Sequence, residues 1–173
     1  MNYEELSALW KKQDDLYSQW RQKLFASASL LRNDIEECLN LESQAWQNPE
    51  TNQEIPYITI INFYPERDAI EKRLNGESIT ENGELIFGIG ITFERKANSF
   101  PKESIYIPVA SRFNNNEIQY SYFDLEKECP AQEWTTDIRA FSERQLRKLG
   151  EYLSHDPHNG FENKITMGFI GNS

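Results

Sequence analysis

The sequence predicts a single α+β domain of 173 residues. It would consist of a long N-terminal helix, a mainly antiparallel sheet of about four to six strands, and a C-terminal helix packed on that sheet. Three observations support this prediction. Residues 2–48 contain neither glycine nor proline, the middle of the chain alternates apolar and polar residues, and a helical pattern returns before the C-terminus.

The first element is a long helix predicted over residues 1–48, before Pro49. Its apolar residues recur at alternating spacings of three and four, as they do on one face of a helix. They are Tyr3, Leu6, Trp10, Tyr17, Trp20, Leu24, Leu31, Ile35 and Cys38. About 45 residues would span roughly 68 Å, whereas a domain of this length is about 40 Å across. An unbroken helix would therefore extend beyond its own domain.

Three arrangements of this helix are open at the level of sequence. It can face its own core throughout, bend near Ala26–Ser29 and fold back, or pair its overhang with a second chain. Trp10, Tyr17 and Trp20 are the candidate binding or dimerisation residues, because a continuous stripe of such side chains is unfavourable in water. The polar positions of the helix carry both signs of charge, which disfavours a membrane-surface helix.

Residues 55–173 are predicted to form the α+β body. The strand-like segments are residues 56–64, 84–94, 104–113 and 117–125, with 164–170 as a candidate last strand. Short connections between the middle strands predict an antiparallel meander. Pro108 has no donor for a neighbouring strand, which predicts an edge strand or a bulge. A short helix is predicted after Pro65.

The segment ELIFGIGITFERK (84–96) is the strongest strand pattern. One face is wholly apolar, formed by Leu85, Phe87, Ile89, Ile91 and Phe93. The other face carries Gly88 and Gly90, which indicates close approach of another element. The G-x-G does not fit a dinucleotide-binding fingerprint, because Phe93 occupies the position of the third glycine.

In the C-terminal quarter, SERQ (142–145) matches a capping box and predicts a helix from about Glu143 to Ser154. This helix would bury Leu146, Leu149 and Leu153.

Glu94 and Lys96 form an E-x-K pair at the end of the glycine-bearing strand. In one class of metal-dependent nucleases such a pair supplies a metal-ligating carboxylate and a water-activating lysine, and a second acid shares the metal. Asp68 and Glu84 are the candidates for that acid. Asp68 lies at a predicted helix start, and Glu84 is roughly 33 Å along the same strand, so neither is well placed.

His155, Asp156 and His158 are the candidate metal ligands near the end of the last helix. A metal site needs three or four convergent ligands. Asp-Pro and Asn-Gly pairs are ordinary turn residues, so a solvated turn is the favoured interpretation. No cofactor is predicted.

The net charge of −10 disfavours nucleic-acid binding, because nonspecific affinity for phosphates comes largely from Lys and Arg. No segment has the length and apolar character of a membrane span or a secretory signal. Cys38 and Cys129 lie far apart and outside any metal-type spacing, so they are predicted to be free thiols in a cytoplasmic protein.

These observations favour a non-enzymatic cytoplasmic protein-interaction module that holds a basic protein partner, as an immunity or inhibitor protein does. Two alternatives stand beside it. One is a metal-dependent nuclease or hydrolase that uses Glu94 and Lys96. The other is a homodimeric structural or scaffold protein built on the first helix.

Overall fold

The computed structural model describes residues 1–42, 44–65, 73–94, 102–156 and 158, and these residues form the predicted α+β fold. The helices are α1 (Tyr3–Cys38) and α2 (Ile138–Leu153). The strands are β1 (Ala45–Gln47), β2 (Glu54–Pro56), β3 (Ile58–Ile61), β4 (Leu85–Phe93), β5 (Glu103–Asn114), β6 (Glu117–Asp124) and β7 (Cys129–Pro130). The predicted helix after Pro65 and the predicted strand over 164–170 lie outside the described residues.

α1 is one helix of 36 residues, about 54 Å long. It begins with a capping box, in which the Asn2 side chain accepts from the Glu5 amide and the Glu5 carboxylate accepts from the Asn2 amide, both at 2.9 Å. The helix passes through Ala26–Ser29 without the break that was one of the predicted alternatives.

The predicted end of the first helix at residue 48 is wrong by ten residues. Leu39 caps the helix, and Asn40 adopts a left-handed backbone with φ of 53°, which ends the helical path. Residues 45–47 then form β1, which pairs with β2 in a separate two-stranded antiparallel sheet. Asparagine is one of the few residues that tolerate this conformation. A helix can therefore end at an asparagine in a segment that contains neither glycine nor proline.

The main sheet has five antiparallel strands in the order β3-β4-β5-β6-β7, which confirms the predicted meander. Asn115 and Asn116 have φ of 51° and 63° and form the two-residue turn between β5 and β6. β5 is an interior strand, so the prediction that the whole strand is an edge is wrong, but among the described residues Pro108 lies in the part of β5 that pairs with β4 alone. The ladder to β6 starts at Val109, and Pro108 pairs with Gly88 on the β4 side.

Both faces of the main sheet are covered by apolar side chains. The face that carries Leu85, Phe87 and Ile89 packs against α1 and α2, which confirms the predicted apolar face of β4. The opposite face carries a second cluster formed by Ile61, Phe63, Ile86, Tyr106, Ala110 and Phe123. The sheet is therefore the central layer of the described core.

The C-terminal half of α1 is held to the sheet by polar contacts as well. The Ser27 hydroxyl lies 2.8 Å from the Ser111 hydroxyl, and the Tyr120 hydroxyl donates to the Ser27 carbonyl at 3.0 Å. Burial raises the pKa of the Tyr120 phenol. On α2, the Arg139 guanidinium lies 3.1 Å from the Asp34 carboxylate, which ties the two helices together.

α2 begins five residues earlier than predicted. Asp137 is the N-cap, and its carboxylate accepts from the Ala140 amide at 2.9 Å, so SERQ (142–145) is not a capping box but part of the second turn. This shift turns the Ser142 side chain into the core, where it is fully buried. Leu149 is buried as predicted, whereas Leu153 is 51% exposed.

Candidate interaction surface

The apolar stripe of α1 runs along the whole helix, but the body covers only half of it. We call residues 3–23 of α1 the arm and residues 24–38 the base. The base buries Leu24, Ala28, Leu31 and Ile35 completely. The arm exposes six large apolar side chains by half or more: Tyr3, Leu6, Leu9, Trp10, Leu16 and Tyr17. The most exposed of them is Tyr3, at 83%, and Trp10 follows at 67%.

The contact between arm and body is made at Trp20. Its ring packs over the tight turn at Gly83, where a β-carbon would lie 3.4 Å from the indole and where φ of 77° favours glycine. Tyr17 stands edge-on to Trp20, with ring centroids 6.3 Å apart. The body therefore half-buries Trp20, whereas the side chains of the same stripe nearer the N-terminus face outward.

Three of the arm residues were predicted as binding or dimerisation residues. The structure places Trp10 and Tyr17 in the exposed part of the stripe and Trp20 at its boundary. Leu9 and Leu16 were missed, although they are seven residues apart and each precedes one of the predicted aromatics. They line one side of a shallow groove of about 590 Å³ along the helix, together with Lys12, Gln13, Tyr17 and Trp20.

The arm carries no net side-chain charge. It contains four carboxylates and four cations: Glu4, Glu5, Lys11, Lys12, Asp14, Asp15, Arg21 and Lys23. The whole excess of ten negative charges therefore belongs to residues 24–173. The exposed aromatic residues of the arm and the acidic excess therefore belong to separate parts of the chain.

Glu94, the candidate metal ligand at the end of β4, is engaged by protein groups. Its carboxylate accepts a hydrogen bond from the Tyr57 hydroxyl and forms an ion pair with the Lys102 ammonium. The hydrogen bond to Glu94, with burial second, raises the pKa of Tyr57. Lys102 also lies 5.6 Å from the ring centroid of Trp46.

The other members of the predicted nuclease site are not brought to Glu94 by the described structure. Lys96 and Asp68 lie outside the described residues. Glu84 is at the opposite end of β4, where its backbone closes a turn with Thr80. The E-x-K hypothesis therefore stays a prediction.

The candidate metal ligands of the C-terminal region form a turn. The Asp156 carboxylate accepts from the His158 amide at 2.9 Å, and the His155 amide donates to the Tyr152 carbonyl at 3.3 Å. Among the described residues, no three His, Cys, Asp or Glu side chains converge as a metal site requires.

Gly88 and Gly90 make the close approach that their strand pattern predicted. A β-carbon at Gly88 would lie 3.2 Å from the Tyr106 ring, and one at Gly90 would lie 2.6 Å from the Ile61 side chain. Tyr106 stacks in turn on Phe63, with centroids 5.7 Å apart. The glycines therefore have a packing role beneath the second apolar cluster.

Comparisons with protein-family models, curated protein sequences and solved structures each gave no match to this chain. In the part of the chain that the structure describes, neither α1 nor α2 combines the length and the apolar character of a membrane-crossing helix.

Proposed function

We propose that this protein is a non-enzymatic protein-interaction module whose contact surface is the arm. The observation that carries the proposal is the row of six exposed apolar side chains on one face of one helix. Isolated exposed apolar residues are common, but contiguous apolar patches of this kind mark interaction sites. Aromatic side chains are also enriched in protein interfaces.

The helical state of the arm supports the same proposal. Isolated helices are marginal in water when they are shorter than about 12–15 residues, and most helices in proteins are stabilised by packing of their apolar face. From Tyr3 to Tyr17 the apolar face of the arm is exposed, and the capping box at Asn2 stabilises only its first turn. A partner that covers this face would supply the missing packing energy.

The acidic remainder of the chain supports a basic partner as a further contact. Its ten excess negative charges would steer a cationic protein toward the body rather than toward the arm. A cytoplasmic location fits the proposal, because Cys38 and Cys129 are both free thiols.

The nuclease alternative has less support. The Glu94 carboxylate already accepts a hydrogen bond from Tyr57 and forms an ion pair with Lys102. A metal ion bound to Glu94 would therefore have to displace the Lys102 ammonium that neutralises this carboxylate. The homodimer alternative uses the same contact surface. It differs from the main proposal only in that the partner of the arm is a second copy of this chain.

Substitution of the arm tests the proposed function. Trp10→Ala with Tyr17→Ala removes two aromatic anchors and keeps the helix, because alanine has the highest helix propensity. The natural chain should co-purify from its source cells with a second protein or an untagged copy of itself, and this variant should lose it. The matched control is Lys11→Ala with Ser18→Ala on the opposite face, which should retain it. Identical recovery by all three chains would contradict the proposal.

A further inference from the structure

We propose that a groove beside the base binds a small organic anion, a molecule with an apolar body and a carboxylate or phosphate head. The groove, which we call the base groove, has a volume of about 600 Å³ and lies between α1, β2, β3 and residues 73–74. Ligand pockets commonly have volumes of about 300–1,000 Å³. None of the arm residues, all of which lie in the described part of the chain, lines it. The proposal is therefore independent of the proposed function.

The walls of the base groove are mostly apolar. Six of its described lining residues have apolar side chains: Phe25, Ile55, Pro56, Ile58, Ile60 and Leu74. Phe25, Ile60 and Leu74 also pack against the buried cluster between the helices and the sheet, so these walls are continuous with the core. An apolar ligand body in the groove would be removed from water, which favours binding.

The helix side of the groove contains a small residue between two large ones. Phe25, Ser29 and Arg32 are spaced by four and three positions, so they lie in one row along α1. This row follows the buried stripe of the base by one position and therefore flanks the surface that packs on the sheet. Ser29 is exposed, and its small side chain leaves room for a ligand between its two neighbours in the row.

A second side of the groove is held in place by Asn62, the buried residue that follows β3. The Asn62 side-chain amide donates to the Arg73 carbonyl at 3.3 Å, and its oxygen accepts from the Ser78 hydroxyl at 3.3 Å. The backbone at Arg73 is thus attached to the end of β3. Arg73 and Leu74 line the groove from this attached segment.

Arg32 supplies the first of two guanidinium groups that line the base groove. A guanidinium has five N–H donors. The Arg32 Nη2 donates to the Asn33 side chain at 2.9 Å, whereas its Nε is buried without a hydrogen-bond partner, 3.5 Å from the Glu36 carboxylate. The Arg32 side chain is 35% exposed, so a ligand in the groove can reach the donors that remain.

Arg73 supplies the second guanidinium. Among the described residues, this group has neither an ion pair nor a hydrogen-bond acceptor. Glu54 is the one carboxylate among the described residues that line the groove. Glu36 offsets the charge of Arg32 from outside the lining but accepts no hydrogen bond from it. The charged side chains of the groove therefore offer more donors than acceptors, which favours an anionic head.

The chemistry of these two arginines selects the ligand. A guanidinium presents parallel N–H groups that match a carboxylate or a phosphate, whereas a cationic head would meet like charges. Nucleic acid is disfavoured, because two arginines neutralise too few phosphates in a chain of net charge −10. Carboxylates elsewhere in the chain act weakly on a bound anion, since exposed charges more than about 8–10 Å apart are largely screened at physiological salt.

The first test measures binding to the full chain by equilibrium dialysis, with three probes of similar alkyl length: decanoate, decyl phosphate and decyltrimethylammonium. The natural chain should bind at least one of the two anions with a dissociation constant of about 100 µM or lower, as expected for a ligand of about a dozen non-hydrogen atoms. The tighter of the two anions identifies the preferred head. Equal or tighter binding of the cation, or no binding of either anion at about 1 mM, would overturn the proposal.

The second test removes both guanidiniums. Arg32→Gln with Arg73→Gln should weaken binding of the preferred anion about tenfold or more, because charge-assisted hydrogen bonds are lost. Decyltrimethylammonium should bind this variant no more weakly than the natural chain, which a mere loss of structure would not produce. The matched control, Lys11→Gln with Arg147→Gln, removes two exposed cations outside the groove and should stay within about threefold of the natural chain. Equal weakening in the two variants would assign the effect to net charge and overturn the proposal.

The third test separates the base groove from the arm, because alkyl chains also bind exposed apolar surface. Ser29→Phe places a ring in the groove without a change of charge and should weaken anion binding about tenfold or more. Trp10→Ala with Tyr17→Ala should bind the anion as the natural chain does. Retained binding by Ser29→Phe, or its loss in the arm variant, would overturn the proposal. Neither result bears on the protein partner of the arm, so the proposed function is tested separately.

Discussion

The two halves of α1 share one helix and one apolar repeat, yet the base is completely buried along its stripe and the arm is exposed. The difference lies in what each half crosses: the base packs on the main sheet, whereas the arm extends beyond it and contacts the body at Trp20. The base carries Ser27 and Ala28 among aliphatic residues, and both are fully buried, so the helix lies close to the sheet. The arm carries Trp10, Tyr17 and Trp20 on the same stripe. Periodicity shows which face of the helix is apolar, whereas the extent of the sheet decides how much of that face the chain itself covers.

The polar contacts differ in the same direction. In the base, the Ser27 hydroxyl meets the Ser111 hydroxyl on the sheet, and the Ser27 carbonyl accepts a hydrogen bond from the Tyr120 hydroxyl. The arm carries equal numbers of carboxylates and cations together with exposed aromatic rings. The base therefore has the character of a protein core, and the arm has the character of an exposed interface.

The largest expected effect comes from removing the same side chain from both halves. Leu31→Ala in the base should lower the free energy of unfolding by about 2–5 kcal/mol, because it opens a cavity in the core. Leu16→Ala in the arm should change the free energy of unfolding by at most about 0.5 kcal/mol when the protein is dilute and the arm is not bound to a partner. Urea unfolding followed by circular dichroism measures both values. A similar loss for the two variants would show that the arm also packs on the body.

The fold was largely accessible from sequence because its signals are local. The alternation in residues 84–94 and 104–113 and the Asn115-Asn116 turn identify the meander, and the 3.6-residue period identifies both helices. Boundaries were less accessible. Asn40 ends α1 through a left-handed backbone, and Asp137 competes with Ser142 as the N-cap of α2. Local sequence signals alone place such boundaries only to within a few residues.

The interaction surface was only partly accessible. Trp10 and Tyr17 were predicted from their bulk and spacing, whereas Leu9 and Leu16 look like ordinary helix formers until the uncovered part of the stripe is known. The separation of charge is also a structural result. The total of −10 does not reveal that the arm is neutral, because the division between arm and body at Leu24 depends on where the sheet ends beneath the helix.

A smaller effect should follow from enlarging a residue in each half. Ala28→Leu in the base should cost about 1–3 kcal/mol, because the added atoms must displace a close-packed sheet. Gln13→Leu in the arm should leave the stability of the dilute chain within about 0.5 kcal/mol, since solvent surrounds that position. Thermal and urea unfolding would measure the difference. Tolerance of leucine at residue 28 would show that small size is not what brings the base close to the sheet.

The smallest effect concerns the hydrogen bond from Tyr120 to Ser27. Tyr120→Phe should cost about 1 kcal/mol near pH 7, because a buried carbonyl loses a donor. Tyr3→Phe on the exposed arm is the matched control and should cost nothing measurable. This comparison tests whether polar contacts to the sheet belong to the base alone.

The pH dependence of the same variant sharpens that test. Burial raises the pKa of Tyr120 above its ordinary value of 10.0, so the folded chain keeps the phenol neutral at a pH where the unfolded chain ionises it. Its contribution to stability is complete below pH 10 and is lost above it, by about 1.4 kcal/mol per pH unit. The natural chain should therefore lose stability more steeply than Tyr120→Phe between about pH 10 and 11, and the difference of about 1 kcal/mol between them should close. Parallel curves for the two chains would mean that the phenol is not buried against the base, and Tyr3→Phe should follow the natural curve in either case.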